Sequence, residues 1–133
     1  MLNRLIIPVI TIFVFIVDRL TKLYIPLPKL CNSGAAFGIL HGQTFLLSIF
    51  SIAVIIVLGY FTIKKYPQLN IIQKISISLI LGGTLGNLFD RINYGYVIDF
   101  INLSFVNFPV FNLADAFINI GAGILLITLL ARK

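Results

Sequence analysis

The chain contains no glutamate and no tryptophan, and one each of cysteine, histidine and methionine in 133 residues. Its acidic side chains are four aspartates: Asp18, Asp90, Asp99 and Asp115. The single Cys31 excludes an intrachain disulfide. The single His41, with no CxxC or HExxH pattern beside it, leaves a zinc site of the usual kind without ligands. Charged residues make up 11% of the chain, against roughly 25% in soluble domains, which excludes an ordinary water-soluble domain. The net charge of +6 comes from Lys and Arg dispersed between apolar runs, not gathered on one amphipathic face, so no nucleic-acid partner is expected.

What the chain does have is long apolar sequence, with 59% hydrophobic residues. Runs at 5–24, 44–63, 71–89 and 113–130 each approach the roughly 20 residues that cross a ~30 Å hydrocarbon core at about 1.5 Å per residue. Only helices and closed barrels satisfy backbone groups in lipid, and these runs are too long and continuous for barrel strands. The expected fold is therefore an all-α membrane protein with four transmembrane helices. Its length fits one domain, residues 1–133. The opening MLNRLIIPVITIFVFIV imitates a signal peptide, but DRLTK follows where a small-x-small cleavage site would stand. Pro28-Lys29-Leu30 likewise lacks the small residues expected before a lipidated cysteine at Cys31. The segment is expected to remain as the first span.

Arg4, Lys64, Lys65, Lys74, Arg132 and Lys133 fall at one set of span ends with no acid among them. Arg19, Lys22, Lys29 and Arg91 fall at the other, together with Asp18, Asp90 and Asp99. The positive-inside rule then places both termini in the cytoplasm and the acids at the outer face. Two connections lie on that outer side. In the first, 27–43, the stretch NSGAAFG suits a tight backbone approach to a ligand or a helix, and His41 is a plain interfacial residue. The second, 91–111, is an aromatic connector whose six Tyr and Phe side chains belong at headgroup level. Within it Ile101, Leu103 and Phe105 alternate with Asn102 and Ser104, a weak period-two signal for a small extended, β-like element at the outer (periplasmic) interface.

A carboxylate at membrane depth costs about 2.5–3.5 kcal/mol, so the aspartates are where chemistry is to be sought. Asp115 stands three residues after Asn112, a capping arrangement that by itself accounts for a charged Asp115. Asp99 arrives on the adjoining connector at about the same depth. Two buried carboxylates within hydrogen-bond reach share a proton, which is what aspartyl hydrolysis requires. Helix cap and catalytic pair both remain open on this reading. Gly82 and Gly86 form a small-xxx-small packing face. Asp90 and Arg91 are either an interfacial ion pair or, with Asn87, groups that orient the acids. Asp18 and Lys22 form an i,i+4 pair of structural character.

Five blocks, DRLTK at 18–22, NSGAAFG at 32–38, GGTLGNLFDR at 82–91, VIDF at 97–100 and FNLADA at 111–116, occur in this order on a four-span chain. In these the chain resembles the lipoprotein signal peptidases (signal peptidase II), bacterial membrane aspartic peptidases. The resemblance implies removal of the signal peptide from prolipoproteins just before a diacylglyceryl-modified cysteine, at the outer face of the bacterial cytoplasmic (inner) membrane. It implies catalytic aspartates at Asp99 and Asp115, and supporting polar positions at Asp18, Lys22, Asn32, Asn87, Asp90, Arg91 and Asn112. The expected partners are diacylglyceryl-modified prolipoproteins and membrane lipids; no cofactor or metal is expected, and the protein is expected to be a monomer. Segment 23–31 is shorter than is usual in the family, which implies a reduced substrate cradle. Three other readings stand beside this one. A small polytopic transporter or ion-relay protein would carry its acids deep in several spans. A non-catalytic assembly subunit would use the glycine face for docking. A metal hydrolase would be built from the four aspartates, with no histidine placed to assist.

Overall fold

Asn70 and Asn112 start the helices that begin at Ile71 and Leu113, the first of which carries most of the buried polar residues. Each accepts a hydrogen bond from the backbone N–H three residues on, and the side chain at that position, Gln73 or Asp115, accepts one from the cap residue's own N–H. The computed structural model of the protein describes residues 2–35 and 39–131; Ala36, Phe37 and Gly38 of the NSGAAFG stretch lie outside the described residues. The described elements are α1 (Leu2–Tyr24), β1 (Leu30–Asn32), α2 (Thr44–Lys65), α3 (Ile71–Tyr94), β2 (Val97–Asp99) and α4 (Leu113–Leu130). A 3-10 turn, Tyr66–Gln68, links α2 to α3.

α2 with its trailing turn, α3 and α4 are each long and apolar enough to cross a membrane. α1 has 23 residues, but it carries Arg4 at one end and Asp18, Arg19 and Lys22 at the other. α4 occupies the span expected for it. α3 outruns the expected 71–89 by more than a turn, ending at Tyr94, where Gly95 adopts φ 77° and its N–H caps the Arg91 carbonyl. The charges at Asp90 and Arg91 do not end the span, because both are drawn into the bundle.

α3 is the inner helix and packs against the other three. Its buried face is small and polar, with Ser76, Ser78, Gly82, Gly83, Thr84 and Gly86. Ser76 and Ser78 return their hydroxyls to the carbonyls of Ile72 and Lys74, so neither of these hydroxyls competes with the packing. A Cβ on Gly82 would lie 2.6 Å from the Val14 side chain of α1, and one on Gly83 2.5 Å from the Ala114 carbonyl of α4. A Cβ on Gly86 would meet the Asp18 carboxylate. The small-xxx-small face is thus the seam with α1, and Gly83 makes a second seam with α4. At the other end of the bundle Ile7, Leu69, Ile77 and Leu81 form an apolar core. The outward faces are apolar as well, with Phe45 80% and Ile63 81% exposed, a surface suited to lipid.

The extended element is not where alternation at 101–105 placed it. β1 and β2 form a two-stranded antiparallel ribbon in the register Leu30↔Asp99, Cys31↔Ile98 and Asn32↔Val97. Ile101 makes only an isolated bridge to Phe111, and the chain turns at 104–106. Pairing forms where β1 offers a backbone partner. The alternating side chains supply no buried face, since Phe105 is 81% exposed.

The Gly83 seam sets the first prediction. Gly83→Ala should lower stability by about 1–3 kcal/mol, because its neighbour is backbone and cannot rotate away. Gly59→Ala, with nothing within 4 Å, should stay within about 0.5 kcal/mol of the parent. Thermal unfolding midpoints in detergent check the pair; equal midpoints would remove the seam argument.

Candidate active site

The capping box of α4 does more than start a helix. Asn112 Oδ1 accepts the Asp115 N–H at 2.9 Å, which turns its Nδ2 outward to donate to Asp99 Oδ1 at 2.7 Å. The Asn112 backbone N–H donates to Asp115 Oδ2 at 3.2 Å. One residue therefore bonds to both carboxyl groups, and it does so while capping α4. The ribbon delivers Asp99. Asn32 lies opposite Val97, so it shares a face with Asp99 two residues on, and its Nδ2 donates to Asp99 Oδ2 at 2.9 Å. Asn32 Oδ1 accepts the Gly34 N–H at 2.9 Å, which directs the amide.

Asn87, about two turns before the end of α3, supplies the remaining bond: its Nδ2 donates to Asp115 Oδ1 at 2.8 Å. Its Oδ1 accepts from Asn112 Nδ2 at 3.1 Å and from Lys22 Nζ at 3.0 Å. Behind it lies a buried charge cluster. Lys22 is bound to Asp18 at 3.0 Å and to Asp90 at 2.8 Å, and Arg19 to Asp90 at 2.6 Å and to Asp18 at 3.6 Å. The Arg19 guanidinium also stacks over Phe89, 4.7 Å from the ring centre. The two acids then tie the cluster to the site. Asp90 Oδ2 accepts the Ile98 N–H of β2 at 3.1 Å, and Asp18 Oδ1 accepts the Ala114 N–H of α4 at 3.2 Å.

Both Asp99 and Asp115 line a cavity of about 910 Å³ between the ribbon, the connector, the C-terminal half of α3 and the N-terminal half of α4. Asn32, Asn87, Arg91 and Asn119 add polar groups, while Leu103, Phe108, Phe111 and Ile118 make the walls apolar. A pocket of this size with few convergent polar groups is the form that ligand sites take. Asp99 is 2% exposed. Burial pushes its carboxyl up to about 6, with the nearby Asp115 charge adding to the rise; the Asn32 and Asn112 hydrogen bonds oppose it. The arrangement offers a carboxyl that keeps its proton to higher pH than usual, beside a second carboxyl group that accepts from two N–H donors.

The structure brings together eight of the nine residues singled out in the sequence, Asp18, Lys22, Asn32, Asn87, Asp90, Asp99, Asn112 and Asp115, in one continuous network of bonds. Arg91 lines the cavity and reaches that network through Gly34, whose carbonyl accepts from its Nη2 at 3.4 Å. Asp90 and Arg91 are not an ion pair; Asp90 belongs to Arg19 and Lys22. The Asp18–Lys22 pair is present, yet it reaches further than an i,i+4 contact because Lys22 also touches Asn87. Sequence reasoning passed over Arg19. The available signal was charge balance, since two buried acids, Asp18 and Asp90, need two cations. His41 is exposed and also lines the cavity.

Helices able to span a membrane, with two acids lining one cavity between them, define a polytopic membrane protein built around a carboxyl-bearing cleft. Residues 10–131 match the family model for signal peptidase (SPase) II, and the chain belongs to that family, whose members are aspartic-type peptidases. The lipoprotein signal peptidase of Streptococcus agalactiae serotype Ia is 37% identical over 145 residues, covering 96% of this chain and 94% of the relative. That of Lactiplantibacillus plantarum is 39% identical, covering 78% of this chain and 68% of the relative. Two bacterial membrane enzyme structures solved by the in meso method, at 2.3 Å and 1.9 Å resolution, are each 36% identical to this chain. They superpose with TM-scores of 0.81 and 0.80 and cover 92% and 94% of it, and 86% and 92% of their own chains.

The Asn32 bond gives a prediction with a definite sign. Its N–H favours the ionised form of Asp99, so Asn32→Ala should let Asp99 keep its proton to higher pH. The limb of the kcat/KM profile that reports Asp99 should move up by about one pH unit, given the strength of a hydrogen bond to a charged group. A limb that stays in place would detach Asp99 from the reaction.

Proposed function

We propose that the chain removes the signal peptide from prolipoproteins by cleaving just before the diacylglyceryl-modified cysteine, with Asp99 and Asp115 as the catalytic pair and residues 1–133 acting as one domain. The observation that carries this reading is Asn112, which bonds to both carboxylates at the edge of one cavity. Asp99, nearly fully buried and raised to about 6, holds the shared proton. Asp115 sits in the first turn of α4, its carboxyl accepting from the Asn112 backbone N–H and from Asn87 Nδ2.

In the reaction, Asp115 takes a proton from water as the water oxygen bonds to the scissile carbonyl carbon. Asp99 gives its proton to the carbonyl oxygen, and a tetrahedral diol results. Collapse returns a proton from the diol to one carboxylate; the other proton, on Asp115, goes to the leaving nitrogen as the C–N bond breaks. Asn87, Asn32 and Asn112 hold the carboxylates throughout. Lys22, Asp18 and Asp90 hold Asn87 and the ribbon, and Arg91 braces the 33–35 segment at the cavity edge. The acids converge on one cavity at one end of the bundle, which favours hydrolysis there over an ion relay running through the spans.

Basic residues at the end remote from the site support cytoplasmic termini, with the site at the outer face of the cytoplasmic membrane, in a monomer surrounded by lipid. The substrate's acyl chains then stay in the bilayer while the peptide enters from the side, avoiding about 0.8 kcal/mol of exposure per CH₂. A reporter fused after Lys133 should be active only in the cytoplasmic form; an externally active fusion would reverse the orientation.

The decisive test is Asp99→Asn and Asp115→Asn, assayed on diacylated prolipoprotein at matched membrane abundance. Asn keeps the shape but cannot accept a proton from water. Each variant should lose about 10²–10⁴-fold in kcat, the range for acid–base groups, and the double variant should be no worse than either single. Substantial turnover by Asp115→Asn would leave Asp115 as a helix cap alone.

A further inference from the structure

Asn119 has no part in the network described above. It lies on α4 four residues beyond Asp115, about 6 Å further into the membrane-spanning helix. It is exposed, it lines the same cavity as Asp99 and Asp115, and among the described residues it has no hydrogen-bonding partner. Its neighbours on that stretch of α4 are Ile118 and Ile120. A primary amide left open on a lipid-facing span is costly, and side chains kept in such places contact another polar group.

The scissile carbonyl can reach the acids only if the substrate is unwound there, which frees backbone N–H and C=O groups from their helical partners. On the signal-peptide side of the cut those groups lie at membrane depth, where no water satisfies them. Extended chain advances about 3.3 Å per residue, so the ~6 Å from Asp115 to Asn119 is two residues of substrate. An amide side chain offers both a carbonyl acceptor and N–H donors, the complement of a peptide group.

We infer that Asn119 is a substrate-binding residue that takes the main-chain amide about two residues upstream of the scissile bond. The inference rests on the peptidase reading above. It makes Asn119 a binding group for any signal peptide, since it recognises backbone and not side chain.

The test compares the wild type with Asn119→Leu and Asn119→Thr on synthetic diacylated prolipoprotein peptides, one all-amide and one with an ester in place of the amide two residues upstream. Leucine suits a lipid-facing site, and unfolding midpoints verify that the variant is folded. Asn119→Leu should raise KM for the all-amide peptide about tenfold with kcat within about twofold, the size of one hydrogen bond lost from uniform binding. Asn119→Thr, which keeps a donor and an acceptor, should recover part of that loss. The ester peptide should bind the wild type about tenfold more weakly and be no worse with Asn119→Leu. An unchanged KM in Asn119→Leu overturns the subsite while leaving the peptidase standing, as do losses from variant and ester that multiply. Failure of the wild type to cut either peptide overturns the peptidase reading, and the subsite with it.

Discussion

The site end of this bundle depends on one buried ammonium. The Lys22 side chain is fully buried, and its three N–H donors have three acceptors: Asp18 Oδ2, Asp90 Oδ2 and Asn87 Oδ1. Arg19 supplies the second positive charge, so the two acids and two cations sum to zero. Such a cluster stabilises little relative to an apolar core of equal volume, because desolvation of each ion offsets the attraction. What it contributes is position. Removing one partner would strand a charge and cost about 3–5 kcal/mol, which locks α1 to α3 and, through the Ile98 and Ala114 N–H groups, to the ribbon and α4.

That position is passed on through amides. Asn87 must turn its carbonyl oxygen to the ammonium, since a flipped amide would set N–H against N–H. Its Nδ2 is thereby committed to Asp115. Asn112 must turn its oxygen to the Asp115 N–H, and its Nδ2 is committed to Asp99. Two carboxylates from different elements are aimed by two amides, neither of which can flip without losing bonds on both sides. Rigidity of this kind is what the proposed shared proton needs.

The spans were legible from apolar run length, and α4's start from the Asn112–Asp115 spacing, because both are local. The same spacing marked Asp115, and the scarcity of acids marked the rest. What escaped was non-local. The end of α3 was misplaced because Asp90 and Arg91 look like the edge of a span until Arg19 and Lys22, some 70 residues earlier, are seen to neutralise Asp90. The ribbon escaped because its partner strands are three residues long and 67 positions apart, too short for a periodic signal. The site residues were named from their types and from the resemblance. Their wiring was not, since the Lys22–Asn87 bond spans 65 positions and no spacing announces it.

In the proposed mechanism Asp99 carries the shared proton, and the network explains how a lysine can stand so near it. Neither Lys22 nor Asp18 lines the cavity; Asn87 stands between them and the acids. A bare ammonium against the pair would favour ionisation of both carboxyls and abolish the shared proton. Interposing a neutral amide transmits the orientation while holding the charge one residue back. The balance at Asp99 agrees: burial is the largest influence on its carboxyl, and the Lys22 field is the smallest of those acting on it. The cluster can therefore be strong enough to hold four elements together without setting the protonation of the site it supports.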